Sequence, residues 1–307
     1  MRYDVYYNEK FTYDSGEDGM KYHIFYNMLA GLGDSKAKVE KLTESFDGEL
    51  ILHDVATTSY QELIASIDTE DIIVICGGDG TINRFVNDTY DLEYPNEVLY
   101  FPTGSGNDFM RDVEGTPDKP ISIKQYIKNL PSVEVDGKTY RFINNVGFGL
   151  DGYCCAKGDD IKVAGGGTVN YTAIAIKGLL FHYKPTNAIV TVDGKEYRYK
   201  KVWIAPTMKG RYYGGGMMPS PEQDRNAPDG KLSIMLFHGK GRLGILTTFP
   251  SIFKGEHVKK KDRVTIHHGY EISVKFDAPS YIQIDGETIR DVTEYRATAN
   301  VPASVKA

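Results

Sequence analysis

The stretch DIIVICGGDGTINRFVNDTY, from Asp71 to Tyr90, constrains the fold more than any other part of the chain. An apolar run ends at Cys76 and opens directly into three glycines around one acid: Gly77, Gly78, Asp79 and Gly80. Behind them Ile82, Phe85 and Val86 recur at helical spacing. This pattern predicts a buried parallel strand feeding a helix through a tight loop. Glycines there let backbone N–H groups approach a ligand closely, and the helix N-terminus adds partial positive charge, a combination that suits phosphate. Ligands of open α/β sheets bind at the carboxyl ends of strands, where this loop falls. The acid also has a plainer reading, a helix N-cap in a tight turn.

The stretch VLYFPTGSGNDFMRD repeats the design: a strand, then Pro102, Thr103, Gly104, Ser105, Gly106, Asn107 and Asp108, then a helix. Two glycine-rich strand ends in one sheet, each with an embedded carboxylate, describe a nucleotide site. Carboxylates facing phosphates repel them unless a divalent cation lies between, so the pair predicts Mg2+.

Around these loops strand-like and helix-like segments alternate. KYHIFYN, ELILHDV, DIIVIC and EVLYF read as strands; SKAKVEKLTESF, SYQELIASI and TINRFVNDTY read as helices. Alternation of this kind predicts a parallel sheet with helices on its faces. After about Lys128 the texture changes to hairpins: SVEVDGKTYRF and AIVTVDGKEYRYKKV each join two alternating runs through Asp-Gly. DGKLSIMLF, DRVTIHH, YEISVKF and YIQIDGETI continue the pattern. The expected fold class is therefore α/β: an N-terminal parallel-sheet domain, then a mostly antiparallel β-sandwich or flattened barrel, divided near Asn129 to Ser132. Tyr3, Val5 and Tyr7 alternate in an N-terminal arm, which fits an added strand or a loose segment equally.

Other glycine signals fail on context. GFGLDG (Gly147 to Gly152) has dinucleotide-fingerprint spacing, but it follows a hairpin strand, no helical pattern is evident after it, and the expected acid downstream is missing. DGKTY lacks the leading glycine of a phosphate loop and reads as a turn. A net charge of −6 argues against nucleic acid. The start, MRYDVYYNEK, has no apolar signal core, and the longest apolar stretch, YTAIAIKGLLF, is too short to span a bilayer. Cys76, Cys154 and Cys155 have no metal spacing and suggest no disulfide framework. A cytoplasmic location follows as the expectation.

At its motifs the sequence resembles the diacylglycerol kinase catalytic-domain family, soluble bacterial lipid kinases related to sphingosine kinases. GGDGTIN and PTGSGNDF match two nucleotide motifs, FINNVGFGLDG the segment opening the second domain, YYGGGM with APDGKLSIM a metal-associated loop, and IQIDGE the final acidic motif. The resemblance implies ATP-dependent phosphoryl transfer to a lipid hydroxyl, such as that of diacylglycerol, in a cleft between the domains. It implies an α/β nucleotide-binding domain over 20–129 plus a C-terminal tail from about 291 to 307. A β-sandwich lipid-substrate domain would then span 130–290, with 1–19 as an arm. Asn27, Gly31 and Gly33 fall on the family's first loop and Thr57 or Thr58 on its adenosine-side threonine. Gly77, Gly78, Asp79, Gly80, Thr81 and Asn83 fall on its phosphate loop, and Gly104, Ser105 and Asn107 on its second loop. Asp79 and Asp108 match its magnesium-linked aspartates and Glu134 stands for a third, while Asp285 and Glu287 match the acidic pair credited with activating the hydroxyl. A further Mg2+ is implied at Asp229, Asp224 or Glu222. The chain departs from the family at Met28 and Ala30 in the first loop and at Arg84, where a glutamate is usual.

Plainer readings accompany these assignments. Asp285-Gly286 and Asp229-Gly230 could be hairpin turns like the other Asp-Gly pairs. KKKDR (Lys259 to Arg263) is a solvated loop or an attractor of anionic membrane. GRLGILTTFPSIF is a packed helix or a membrane-touching face. His267 and His268 point to opposite faces of a strand and share no metal. The expected partners are a lipid substrate at a membrane surface, with no nucleic acid and no transmembrane segment; the oligomeric state, a homodimer included, stays open. Two other functions compete with the lipid kinase: an NAD kinase-like enzyme, and a catalytically weak lipid-binding regulatory protein of the same fold.

Overall fold

The structure, a computed structural model, describes residues 19–27, 42, 46–104, 106–116, 119–165, 169 and 171–302. Two compact units divide the chain, Met1–Lys128 and Asn129–Ala307. The expected helix over 35–46 lies outside the described residues except for Leu42, which is helical and buried, and Phe46.

Unit one is built on five strands: β1 (Lys21–Tyr26), β2 (Glu49–Asp54), β3 (Ile72–Gly77), β4 (Val98–Pro102) and β5 (Ile121–Ser122). Their order is β2-β1-β3-β4-β5. The first four are parallel and β5 is an antiparallel edge. Alternate residues of the central strands supply both faces, as a sheet covered on each side requires. Ile24, Val74 and Cys76 pack with Leu42 on one face. On the other, Phe25 meets Tyr60 at 5.7 Å between ring centroids and Phe85 at 6.3 Å. Tyr60 starts the helix Tyr60–Ser66, whose N-cap Ser59 accepts from the Glu62 N–H at 3.2 Å. Phe85 lies on the helix Asp79–Thr89, which buries Ile82 and Val86 on the same side. Because β1 is flanked by β2 and β3, the direction of winding reverses between β1 and β3, and their carboxyl ends form a topological switch point.

Unit two holds β6 (Ser132–Val135), β7 (Lys138–Arg141), β8 (Asn145–Gly149), β9 (Thr186–Val192), β10 (Lys195–Val202), β11 (Ile204–Met208), β12 (Leu232–Phe237), β13 (Val264–Gly269), β14 (Glu271–Ile284) and β15 (Glu287–Thr298). They form one antiparallel sheet in the order β13-β12-β11-β8-β14-β15-β6-β7, with the β9–β10 hairpin joined through β14. The long β14 serves two neighbours: its first half pairs with β9 and its last residues with β8. Phe148 and Phe276 stack at 4.5 Å inside, beside Val190, Ile234 and Tyr295. Three hairpins turn on two residues with positive φ, Asp136-Gly137, Asp193-Gly194 and Asp285-Gly286, the type I′ geometry that favours Asp-Gly.

Three expectations need correction. GFGLDG does open a helix, Leu150–Val163, directly after β8. GRLGILTTFPSIF is not one helix but a short one, Arg242–Leu246, followed by a 3-10 segment, Phe249–Lys254. The tail from about 291 does not join the first sheet: through Thr298 it is β15, hydrogen-bonded to β14 and β6, with Val292, Tyr295 and Ala297 in the second core.

Candidate active site

The two glycine loops of unit one form a single packed object. The Gly77 carbonyl, at the end of β3, accepts from the N–H groups of Thr103 (2.9 Å) and Gly104 (3.2 Å). It also accepts from the Tyr100 hydroxyl at 3.0 Å. Burial holds that phenol well above its ordinary pKa, with the Asp79 carboxylate adding to the effect, so it stays a donor. A Cβ on Gly104 would lie 2.6 Å from the Gly78 Cα, and one on Gly77 would lie 2.1 Å from the Thr81 Oγ1. These glycines are therefore demanded by contact within the chain, before any ligand is considered.

Asp79 has a defined role in this packing. Gly78 is the N-cap of helix Asp79–Thr89, and the Asp79 carboxylate reaches across to the other loop. Its Oδ2 accepts from the Asp108 N–H at 2.8 Å and its Oδ1 from the Phe109 N–H at 3.0 Å. It thus caps the helix Asp108–Asp112 from outside that segment, a variant of the capping role read from sequence. Asn107 adopts a left-handed conformation and donates to the Gly104 carbonyl at 2.8 Å, closing the second loop. Around this pair, Asn27 follows β1 at the switch point, and Thr57 and Thr58 sit in the turn after β2, where the Thr57 hydroxyl donates to the Asp54 carbonyl. Gly80 and Thr81 continue the first turn of the helix, and buried Asn83 meets Asn87 one turn on. Gly31, Gly33 and Ser105, with Met28 and Ala30, lie outside the described residues. Arg84 pairs with Asp88 on the helix surface and lies over the Tyr60 ring.

The cation expectation divides. Asp79 and buried Asp108 offer hard oxygen donors on neighbouring loops, a set that fits Mg2+ brought in on nucleotide phosphates, where one or two carboxylates suffice. The other acids implied as ligands have local surroundings of their own. Asp224 accepts from the Asn226 N–H, Asp229 is tied to Lys231 through N–H and ammonium, and Glu134 is exposed in mid β6. Among the described residues no group of three or more His, Cys, Asp or Glu could hold a metal ion.

In unit two, Asp285 is both a turn residue and a clamp. It takes a left-handed conformation at the β14–β15 turn. Its Oδ2 accepts from the Ile143 N–H at 2.6 Å, and its Oδ1 from Asn144 and Asn145 at 2.8 and 2.9 Å. Buried Arg225 holds the same segment by donating to the Ile143 carbonyl and the Asn144 side chain. Glu287 is exposed at the first position of β15. Between them and the helix Leu150–Val163 lies Gln283, which accepts from the Gly286 N–H and sits 3.5 Å from the Asp151 carboxyl. Burial pushes Asp151 up to about 7, and its Oδ1 has no hydrogen-bond partner among the described residues. Asp151, Gln283 and Arg225 were not anticipated. The signal for Asp151 was available, an acid in the first turn after β8, but only once the helix is known.

Comparison with known proteins agrees with this two-unit plan. Residues 21–136 match the diacylglycerol kinase catalytic domain, and residues 144–306 match the YegS C-terminal NAD kinase beta sandwich-like domain. The chain belongs to this lipid-kinase family. A protein of Staphylococcus aureus strain Newman named "Putative lipid kinase" is 30% identical over 231 residues, which cover 71% of this chain and 70% of that one. A second of the same description, from strain MRSA252, is 27% identical over 278 residues, 85% and 86% of the two chains. A crystal structure described as a putative diacylglycerol kinase from Bacillus anthracis str. Sterne superposes with a TM-score of 0.64 at 19% identity, covering 96% of this chain and 99% of that one, a likeness of fold. No helix among the described residues is long and apolar enough to cross a membrane.

Proposed function

We propose that the protein is an ATP- and Mg2+-dependent lipid kinase that moves the γ-phosphate to a lipid hydroxyl such as that of diacylglycerol. The observation that carries this reading is the interlock of Gly77-Gly78 with Thr103-Gly104 at the switch point, clamped by the Asp79 carboxylate. Membership of the family supports the same chemistry.

In this reading the N–H groups opening helix Asp79–Thr89 bind phosphate oxygens, and Asn27 with Thr57 or Thr58 borders the nucleoside. Asp79 and Asp108 would hold Mg2+, which neutralises charge on the phosphates when bound. Glu287, exposed and at a strand start, accepts the proton of the lipid hydroxyl as its oxygen bonds to the γ-phosphorus; the bond from that phosphorus to the bridging oxygen breaks and ADP leaves. Asp285 positions the 143–145 segment through the three backbone N–H groups that its carboxylate accepts. The enzyme would work from the cytoplasm on lipid presented at a membrane.

The test is incubation with γ-labelled ATP and Mg2+ against diacylglycerol, other lipids with a free hydroxyl, and NAD. Label on a lipid is the expected result. Label on NAD would replace this reading with the NAD kinase one, and no transfer to any acceptor would favour a regulatory lipid binder.

A further inference from the structure

Ile143, Asn144 and Asn145 lead into β8 and are all buried. Backbone polar groups taken from water need partners, and here every one of the three residues is held from both sides. Their N–H groups all donate to the Asp285 carboxylate. Their carbonyls are taken one by one: Ile143 by the Arg225 guanidinium at 3.1 Å, Asn144 by the Lys209 N–H at 2.8 Å, and Asn145 by the Asp285 N–H at 3.0 Å. The second Arg225 nitrogen donates to the Asn144 side-chain oxygen at 3.0 Å.

Arg225 comes from the loop between β11 and β12, and it is only 7% exposed. Closing that loop does not require a cation, because the Gln223 side chain already ties it by donating to the Lys231 carbonyl at 3.0 Å. Burying a guanidinium is costly, so its geometry has to return something specific. The planar fork grips two acceptors on successive residues and so fixes the direction of the segment, which the single point charge of a lysine does not. Cation and carboxylate then act on the same peptide groups from their carbonyl and N–H ends, and each polarises the bonds that the other makes. The anchored Asp285 starts the turn into β15, and Glu287 follows it by two residues, paired with Ile284.

We propose that Arg225 is a positioning residue for phosphate transfer: its fork locks the 143–145 segment from the carbonyl side, and the segment in turn fixes the Asp285 turn that carries Glu287. Arg225 acts through this chain of contacts and not on the substrate. A base set about 1 Å out of place costs on the order of 10²-fold in rate. Nucleotide affinity is untouched in this reading, because ATP is held by the glycine loops of unit one. The proposal rests on the lipid-kinase reading, and one arm of its test needs no catalysis.

Arg225→Lys and Arg225→Met are compared with wild type in transfer from γ-labelled ATP to diacylglycerol, each below its own melting temperature. Arg225→Lys keeps the charge and loses the fork, so kcat should fall about tenfold or more while KM for ATP stays at the wild-type value. Arg225→Met should lose more. A tie that merely stabilises the loop predicts a lower melting temperature with kcat retained, and that result, or a loss confined to KM for ATP, would overturn the proposal. The second arm reads backbone amide resonances by NMR without nucleotide. Asn144, Gly286 and Glu287 should shift in Arg225→Lys, and Gly78 and Asp79 should not. Unmoved Gly286 and Glu287 amides would overturn the proposal whether or not wild type transfers phosphate. Shifted amides with no transfer by wild type would remove the kinase reading, and with it the catalytic role of Arg225, and leave only its hold on the turn.

Discussion

Asp79 and Asp285 solve the same problem in different units: each is an acid in a glycine turn whose carboxylate accepts backbone N–H groups from a distant segment. That dual character changes what their variants should do. Asp285→Asn presents an NH2 group where N–H donors already point, and hydrogen bonds to charged groups contribute about 1.5–3 kcal/mol each. Its melting temperature should therefore fall together with turnover. Glu287→Gln should melt like wild type and lose about 10²–10⁴-fold in kcat, the usual cost of removing a general base. Equal turnover in Glu287→Gln would take that residue out of the mechanism.

Two groups, one half-buried and one buried, set opposite pH limbs. Burial, with the neighbouring His23, lowers His53 from 6.5 to about 4. Between those values the unfolded chain binds the extra proton, so stability falls as pH drops from 6.5 towards 4. His23 bridges His53 at 2.9 Å and Asp71 at 3.0 Å, and His53→Gln should flatten the acid limb in a melting series. Asp151 runs the other way, raised by burial from 3.8 to about 7. The folded chain keeps that proton longer, so stability falls as pH rises through this window. Asp151→Asn should match wild type below about pH 3.8 and melt increasingly above it as pH rises towards 8, and no gap at pH 8 would contradict a buried, ionising carboxyl.

At the scale of elements, legibility followed locality. The Asp-Gly hairpins were readable because type I′ turns are specified by two adjacent residues. Strand β3 and its helix were readable because apolar run, glycine and helical spacing fall in one window. Helix Leu150–Val163 was missed because its inner face is made of small residues. A Cβ on Gly152 would lie 2.4 Å from the Tyr281 carbonyl oxygen, and one on Gly158 would lie 2.6 Å from the Tyr171 ring, so close approach replaces an apolar stripe. The C-terminal strand alternates plainly in DVTEYRAT, but alternation names no partner, and β15 joined the second sheet. Likewise the carboxylates of the site were legible by type, while their backbone donors, 29 and 142 residues away, were not. The glycine interlock gives an element-scale prediction. Gly104→Ala sets a methyl against the Gly78 backbone, so both melting temperature and nucleotide affinity should drop. Unchanged nucleotide affinity would mean that the two loops do not act as one cradle.

For the whole molecule, the parallel-sheet unit carries the interlocked glycine loops and Asp79, and the antiparallel unit carries Asp285 and Glu287. The family match spans both units. The departures at Met28, Ala30 and Arg84 leave Asp79, Asp108, Asp285 and Glu287 in place, and Arg84 is accounted for by its surface pairing with Asp88. The most direct test of the central claim follows phosphate from ATP into diacylglycerol mixed micelles by phosphorus NMR, with Mg2+, for wild type and Asp79→Asn. The account predicts a lipid phosphomonoester signal with wild type that is lost in the variant. The absence of that signal from wild type, or its equal growth in both proteins, would contradict it.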